Sequence, residues 1–360
     1  MTAETARAAA PEPTPAAGRP RLDPAAVPPT VAQRAVAQPA ASGRRYTLIL
    51  AGLLLLGAVL LALLLFTGIP GDFAFSMKRR IPVAVVLVLV AAAGAASTVV
   101  FHTITDNRIL TPSIMGFDSL FVLAQTALVF FLGTRGMSYL PIGGPARLLV
   151  ETTGMVLFAT LLFRWLFSGR RTNLHVLLLV GVVIGTLFAS LSTFMARMLA
   201  PRDYQSLQSR IIGSVNAVNT DVLPYAGALI GLAVGYLWWR RRHLDVLALG
   251  RTTAIGLGVH HHREVTALLV VISVLVAVST ALMGPMLFFG FLVATLAYRI
   301  TGSGRHARTI PIAFALGVVA LVGGQWLLTQ VIRGGSLSVV IEFVGGTLFL
   351  ILLFRKGAGR

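Results

Sequence analysis

Runs of about twenty apolar residues recur along nearly the whole chain, and they limit what it can fold into more than any other feature. They fall at 46–68, 82–102, 112–133, 146–167, 174–198, 222–239, 264–283, 285–300, 309–331 and 337–354. A helix rises about 1.5 Å per residue, so about 20 residues cross the ~30 Å hydrocarbon core of a bilayer. No water reaches that core to satisfy the backbone, and an α-helix bonds its own N–H and C=O groups. The runs therefore predict an all-α, polytopic membrane helical bundle of about ten transmembrane helices. Charged residues are only 12% of the chain, against about a quarter in soluble domains. The eighth run is short, and Gly284-Pro285 alone separates it from the seventh. Glycine ends one helix there, and proline suits the first turn of the next.

The charges orient the bundle. With the amino terminus inside, 21 of the 30 lysines and arginines fall on the inner side and 9 on the outer. Positive residues favour the cytoplasmic side, so both termini are expected in the cytoplasm, and the loop at 240–263 with them. The net charge of +18 does not indicate nucleic acid, because the arginines flank apolar spans instead of sharing one polar face. Residues 1–45 are rich in Ala, Pro and Arg, lack aromatics and have no apolar period. They read as a disordered cytoplasmic tail, not a signal peptide, since the first apolar run starts near Tyr46 and is long enough to span. Cysteine is absent, which removes disulfides, Cys-bound metals and thiol nucleophiles. The outward cluster Lys78-Arg79-Arg80 breaks the charge bias. It reads either as one tolerated exception or as a site for an acidic partner.

The 240–263 loop is too long for a turn and too apolar for a linker, with Leu244, Val246, Leu247, Leu249, Ile255, Leu257 and Val259 among its arginines. Two readings stand: a surface that docks another protein, and an amphipathic loop resting on lipid headgroups.

Three stretches carry a resemblance. The first runs Asp106-Asn107-Arg108-Ile109-Leu110-Thr111-Pro112-Ser113-Ile114-Met115-Gly116-Phe117-Asp118. The second is Leu249-Gly250 followed by Gly256-Leu257-Gly258-Val259, and the third is Gly284-Pro285-Met286-Leu287-Phe288-Phe289-Gly290-Phe291-Leu292-Val293. In this order they resemble the iron-siderophore and vitamin B12 class of ABC-importer permeases, the FecCD-like family, over about residues 46–356. Arg108 replaces a common proline of that family, and Ala294-Thr295 replaces a Pro-His pair. The stretch Asn107 to Pro112 looks like a branch handling catecholate-type siderophores, in which two different permeases often pair.

The resemblance implies a permease domain over 46–356 that imports ferric siderophore by alternating access. It implies cytoplasmic ABC ATPase subunits as partners, along with a second permease copy or paralogue, an extracytoplasmic siderophore-binding protein and membrane lipid. This chain is not expected to be the enzyme: it has two lysines, Lys78 and Lys356, and neither lies in a phosphate-binding loop. The coupling segment would be about 243–263, two short helices parted near Gly256-Leu257-Gly258. Leu247, Leu249, Ile255 and Leu257 would fill an ATPase groove while Arg251 meets acids at its rim, with Gly250 inside the same motif. Outside, Arg79, Arg80 and Arg333 would dock the binding protein, since guanidinium suits bidentate carboxylate pairing better than ammonium. Gly213, Ser214 and Asn216 resemble the translocation mouth of the family, although its tryptophan is missing; an ordinary polar loop is the alternative.

No cofactor, metal ligand set or catalytic residue is expected. His260-His261-His262 reads as a solvated end of the coupling loop, and iron would travel inside its chelator. Asp118 and Gln125 lie one or two turns into the third span, where polar groups are costly and often functional; Asp118 is near its cytoplasmic end, and Glu151 and Glu342 near the outer face, where snorkelling to water is easy. Small residues, including Gly94, Gly185, Gly231, Gly235 and Gly345, read as close helix packing. The competing function is an ion-coupled secondary transporter of an iron chelate or other small solute. That would want carboxylates at mid-membrane depth, and no span shows one near its centre.

Overall fold

The computed structural model describes residues 43–68, 71–108, 110–139, 144–167, 174–211, 220–332 and 334–357, all helix and connecting turn with no strand among them. The helices are α1 (Gly43–Phe66), α2 (Phe73–Thr105), α3 (Phe117–Tyr139), α4 (Gly144–Phe167), α5 (Leu174–Arg197), α6 (Pro201–Ile211), α7 (Leu223–Trp239), α8 (Arg241–Leu247), α9 (Arg251–Gly256), α10 (His261–Met283), α11 (Phe289–Thr301), α12 (His306–Leu327) and α13 (Leu337–Gly357). Six described helices are long and apolar enough to cross a membrane; stretches within α3, α11 and α13 are apolar but shorter.

Burial separates an inner set from an outer one. The most apolar windows of α2, α10 and α12 are 67%, 61% and 50% buried, whereas that of α1 is 11% and those of α5 and α7 are 22%. The inner three carry small and β-branched residues that pack closely, and α2 touches α7, α10, α11 and α12. Their neighbours turn leucine and phenylalanine outward: Leu55 on α1, Leu187 on α5, Leu232 on α7 and Phe343 on α13 are all exposed. Apolar side chains in such numbers face lipid or another apolar protein surface.

Three expectations change. First, Lys78, Arg79 and Arg80 do not lie in a loop. Asp72 caps α2, accepting from Ala74 N at 3.0 Å, so the 33-residue helix starts nine residues before Pro82 and carries the cations in its opening turns. Second, the third span does not start at Pro112. Pro112–Met115 is a single 3-10 turn, and Gly116 at φ 90° redirects the chain into α3. Third, Pro285 does not open the eighth helix. Gly284 N closes α10 on Thr280 O at 2.7 Å, residues 284–288 form an irregular link, and α11 has only 13 residues. Proline disfavours a helical residue before it, and Gly284 leaves the helix at φ 83°, ψ 176°, a backbone that glycine adopts without a Cβ penalty.

The glycines sort by neighbour. A Cβ on Gly94 would sit 2.5 Å from the Phe289 ring, one on Gly185 3.0 Å from Gly116 Cα, and one on Gly345 2.6 Å from Phe288 Cβ. Gly231 and Gly235 have nothing within 4 Å among the described residues, unlike these three.

Candidate functional site

The loop between α7 and α10 folds into two short helices pinned at several points. Arg240 ends α7 and forms an ion pair with Glu264 in the first turn of α10. The Arg241 guanidinium lies over the Trp238 ring and donates to Trp238 O at 2.9 Å. On α8, Leu244 and Leu247 are buried against the bundle, where α8 meets α2 and α12. Leu247 therefore fills this protein's own core and is not free to enter a partner's groove.

The break between α8 and α9 falls at Gly250, φ 95°, not at 256–258. The 256–258 stretch instead closes α9. Val259 N bonds Ala254 O at 3.0 Å and Gly258 N bonds Ile255 O at 2.9 Å, with Gly258 at φ 84°. This 6→1 and 5→2 pair is a Schellman cap, which needs a residue with left-handed backbone at the position of Gly258. The two turns leave Leu249, Arg251, Ile255 and Leu257 exposed together. Beneath them opens a cavity of about 740 Å³, walled by Thr103, Asp106, Arg251, His261 and Arg263 among others.

A hydrogen-bonded chain runs under α8. Asp245 Oδ1 accepts from His306 N at 2.8 Å and lies 2.7 Å from His306 Nδ1; His306 Nε2 lies 2.7 Å from Thr103 Oγ1. Burial pushes the Asp245 carboxyl up, but the His306 bonds outweigh it and hold the group below its ordinary value.

At the opposite end of the bundle Arg80 acts on its own chain. Nη1 lies 3.1, 2.9 and 2.6 Å from the carbonyls of Leu64, Leu65 and Thr67, and Nη2 donates to Gly68 O at 2.8 Å. These carbonyls at the end of α1 lack helical partners, and a cation favours a helix C-terminus. Arg79, one residue earlier, is exposed beside a cleft of about 320 Å³ lined by Leu64, Ser76, Gln325 and Thr329.

The two irregular links meet inside the bundle, where Thr111 Oγ1 donates to Leu287 O at 3.2 Å. Asp118 lies there too. Both its carboxylate oxygens are enclosed, beside the Ser113 and Thr280 hydroxyls and within electrostatic reach of Glu342. Asp118 therefore does not snorkel to water. Gln125 is buried, and the His102 ring packs on Tyr298 with Arg108 over the other ring at 4.3 Å.

The structure thus brings Leu249, Gly250, Arg251, Gly256, Leu257 and Gly258 together on one segment and separates Arg79 from the self-engaged Arg80. Arg333, Gly213, Ser214 and Asn216 lie outside the described residues, as do residues 1–42 and the side chain of Glu151. Sequence reasoning passed over Asp245, His306 and Thr103. One signal was present: Asp245 is an acid among arginines, in a chain with 12 acidic and 30 basic residues.

Residues 46–355 match the model of the FecCD transport family. The chain is 39% identical over 302 residues to the petrobactin import system permease protein YclO of Bacillus subtilis, covering 84% of this chain and 95% of that one. It is 38% identical over 321 residues to the petrobactin import system permease protein FatC of Bacillus anthracis, covering 88% and 90%. Among solved structures, a metal-chelate type ABC transporter in an inward-facing conformation superposes with a TM-score of 0.73 at 22% identity, covering 86% of this chain and 99% of that one; this likeness shows the fold. Near-complete coverage at such identity, together with long apolar helices whose outer faces are unburied, makes this a multi-pass membrane protein that belongs to the FecCD transport family.

Proposed function

We propose that this chain is the permease subunit of an ABC importer that carries a ferric siderophore of the petrobactin kind across the cytoplasmic membrane. The observation that carries the reading is the 39% and 38% identity to two petrobactin permeases over 95% and 90% of their lengths. Transport proceeds by alternating access, driven by ATP hydrolysis on separate cytoplasmic subunits. The residues from α1 to about 356 form a permease domain of about ten spans with both termini inside, and the residues before α1, three fewer than the 1–45 expected because Gly43–Arg45 begin that helix, are its cytoplasmic tail. The ATPase docks on α8–α9, where Leu249, Ile255 and Leu257 supply apolar contact and Arg251 meets acidic side chains, with Gly250, Gly256 and Gly258 shaping the segment. The siderophore-binding protein docks outside on Arg79 and Arg333, while Arg80 holds the end of α1 in place for it. Gly213, Ser214 and Asn216 line the mouth of a pathway shared with a second permease, a copy or a paralogue.

One observation favours a second reading, an ion-coupled transporter: the enclosed Asp118 near Glu342 offers carboxylates inside the bundle. Uptake of radioactive ferric petrobactin by cells with and without this chain separates the two. The cells should also carry Arg251→Glu, and a proton uncoupler should be applied with ATP maintained. Uptake that is lost on deletion and with Arg251→Glu, yet survives the uncoupler, supports the ABC permease. Uptake indifferent to Arg251→Glu and abolished by the uncoupler overturns it.

A further inference from the structure

We propose that Asp245, His306 and Thr103 form a polar joint that positions the coupling helix α8 against α2 and α12 and carries its movement into the centre of the bundle. The inference rests on reading α8–α9 as the segment that docks the ATPase.

The joint has three members on three helices. Arg305, the residue at the N-cap of α12, makes no side-chain cap bond. Asp245 supplies the cap from α8 instead, accepting from the first helical N–H of α12 at 2.8 Å. A carboxylate there is also favoured by the dipole of α12. The same oxygen lies 2.7 Å from His306 Nδ1. A carboxylate can only accept, so Nδ1 carries the proton and the ring is held in one orientation. Nε2 then faces Thr103 Oγ1 on α2 at 2.7 Å. Thr103 has one hydroxyl hydrogen and two acceptors in reach, His306 Nε2 and Val99 O at 3.1 Å. With neutral imidazole the hydroxyl donates to Nε2; with imidazolium Nε2 donates to Oγ1 and the hydroxyl turns to Val99. Every donor keeps a partner in either state.

Location gives the joint its consequence. His306 is 2% exposed, and Leu244 and Leu247 bury the face of α8 on either side of Asp245. The start of α8 is tied separately to α10 through Arg240 and Glu264. The coupling segment is thus linked by polar bonds to all three inner helices, α2, α10 and α12. Apolar contact alone lets a helix slide, whereas hydrogen bonds of fixed direction hold its angle. A push on the exposed Leu249, Ile255 and Leu257 surface would move α2 and α12 together.

The test uses the full chain reconstituted in proteoliposomes with its ATPase subunits and binding protein, and ferric petrobactin as probe. ATP hydrolysis and iron import are measured side by side for Thr103→Val, Thr103→Ser, Asp245→Ala and Arg251→Glu, with thermal unfolding of each complex recorded. The joint predicts that Thr103→Val and Asp245→Ala hydrolyse ATP within about twofold of the parent while import falls tenfold or more. Thr103→Ser, which keeps the hydroxyl, should import normally. The Thr103→Val/Asp245→Ala double variant should be no worse than either single one, as expected for one connected unit. Normal import in both single variants overturns the joint. So does a parallel fall of import, hydrolysis and unfolding temperature, which would mark a merely structural contact. Arg251→Glu checks the reading beneath: if it leaves ATPase assembly and import intact, the docking assignment fails whatever the joint variants do.

Discussion

Gly116→Ala tests the re-entry of the 106–118 segment into the bundle. Gly116 has φ 90°, and a Cβ added there would lie 3.0 Å from Gly185 Cα, 3.2 Å from Gly181 O and 3.2 Å from Gly185 N. All three are backbone atoms of α5, so no side chain can rotate out of the way. The left-handed backbone costs about 1–2 kcal/mol for an L-residue, and overpacking costs about 1–3 kcal/mol more. The sum is a loss of about 2–5 kcal/mol. Gly185→Ala meets Gly116 Cα at the same 3.0 Å from a helical backbone, so only the packing share applies. Gly231→Ala has nothing within 4 Å and sits inside a helix, where alanine gains about 0.5–1 kcal/mol over glycine. Unfolding by SDS titration in mixed micelles reads the three variants in one series. The expected order of stability is Gly231→Ala at or above the parent, then Gly185→Ala, then Gly116→Ala. A Gly116→Ala protein as stable as Gly231→Ala would refute the close approach of the two backbones.

Three further expectations use simpler readouts. Arg80→Ala should lower stability in the same titration by about 1.5–3 kcal/mol, the range for charge-assisted hydrogen bonds, with Arg80→Lys recovering part; an unchanged midpoint would mean the end of α1 needs no clamp. Arg79→Glu should weaken capture of the binding protein on reconstituted vesicles at least tenfold and leave the unfolding midpoint unmoved. Asp106 is the one described non-glycine residue at positive φ, and burial raises its carboxyl above the ordinary 3.8 while Arg108 opposes the shift. A raised carboxyl disfavours the folded state once ionised. Asp106→Asn should therefore raise the unfolding temperature at pH 7, with the gain vanishing as pH falls below 3.8.

Helix existence was legible because apolar length is a one-dimensional property, and each described long helix lies where its run predicted. Helix limits were less so, because they depend on local chemistry that hydropathy ignores. Asp72 starts α2 before its cations, Gly116 delays α3, and the Gly284–Phe288 link shortens α11. The 240–263 loop stood out by apolar residues in a basic stretch, but the pattern could not say which faced inward. Leu247 is buried while Leu249, two positions on, is exposed, a division set by the turn at Gly250. His306 lies 203 positions from Thr103 and 61 from Asp245, and no local spacing encodes such a meeting.

The central claim is that ATP hydrolysed on a partner drives a ferric siderophore through this chain. Proteoliposomes holding the full chain, its second permease and its ATPase subunits, given radioactive ferric petrobactin on its binding protein, test it directly. Accumulation is expected to require ATP and the binding protein and to be indifferent to proton and sodium ionophores. Accumulation without ATP, driven by an imposed ion gradient, would contradict it.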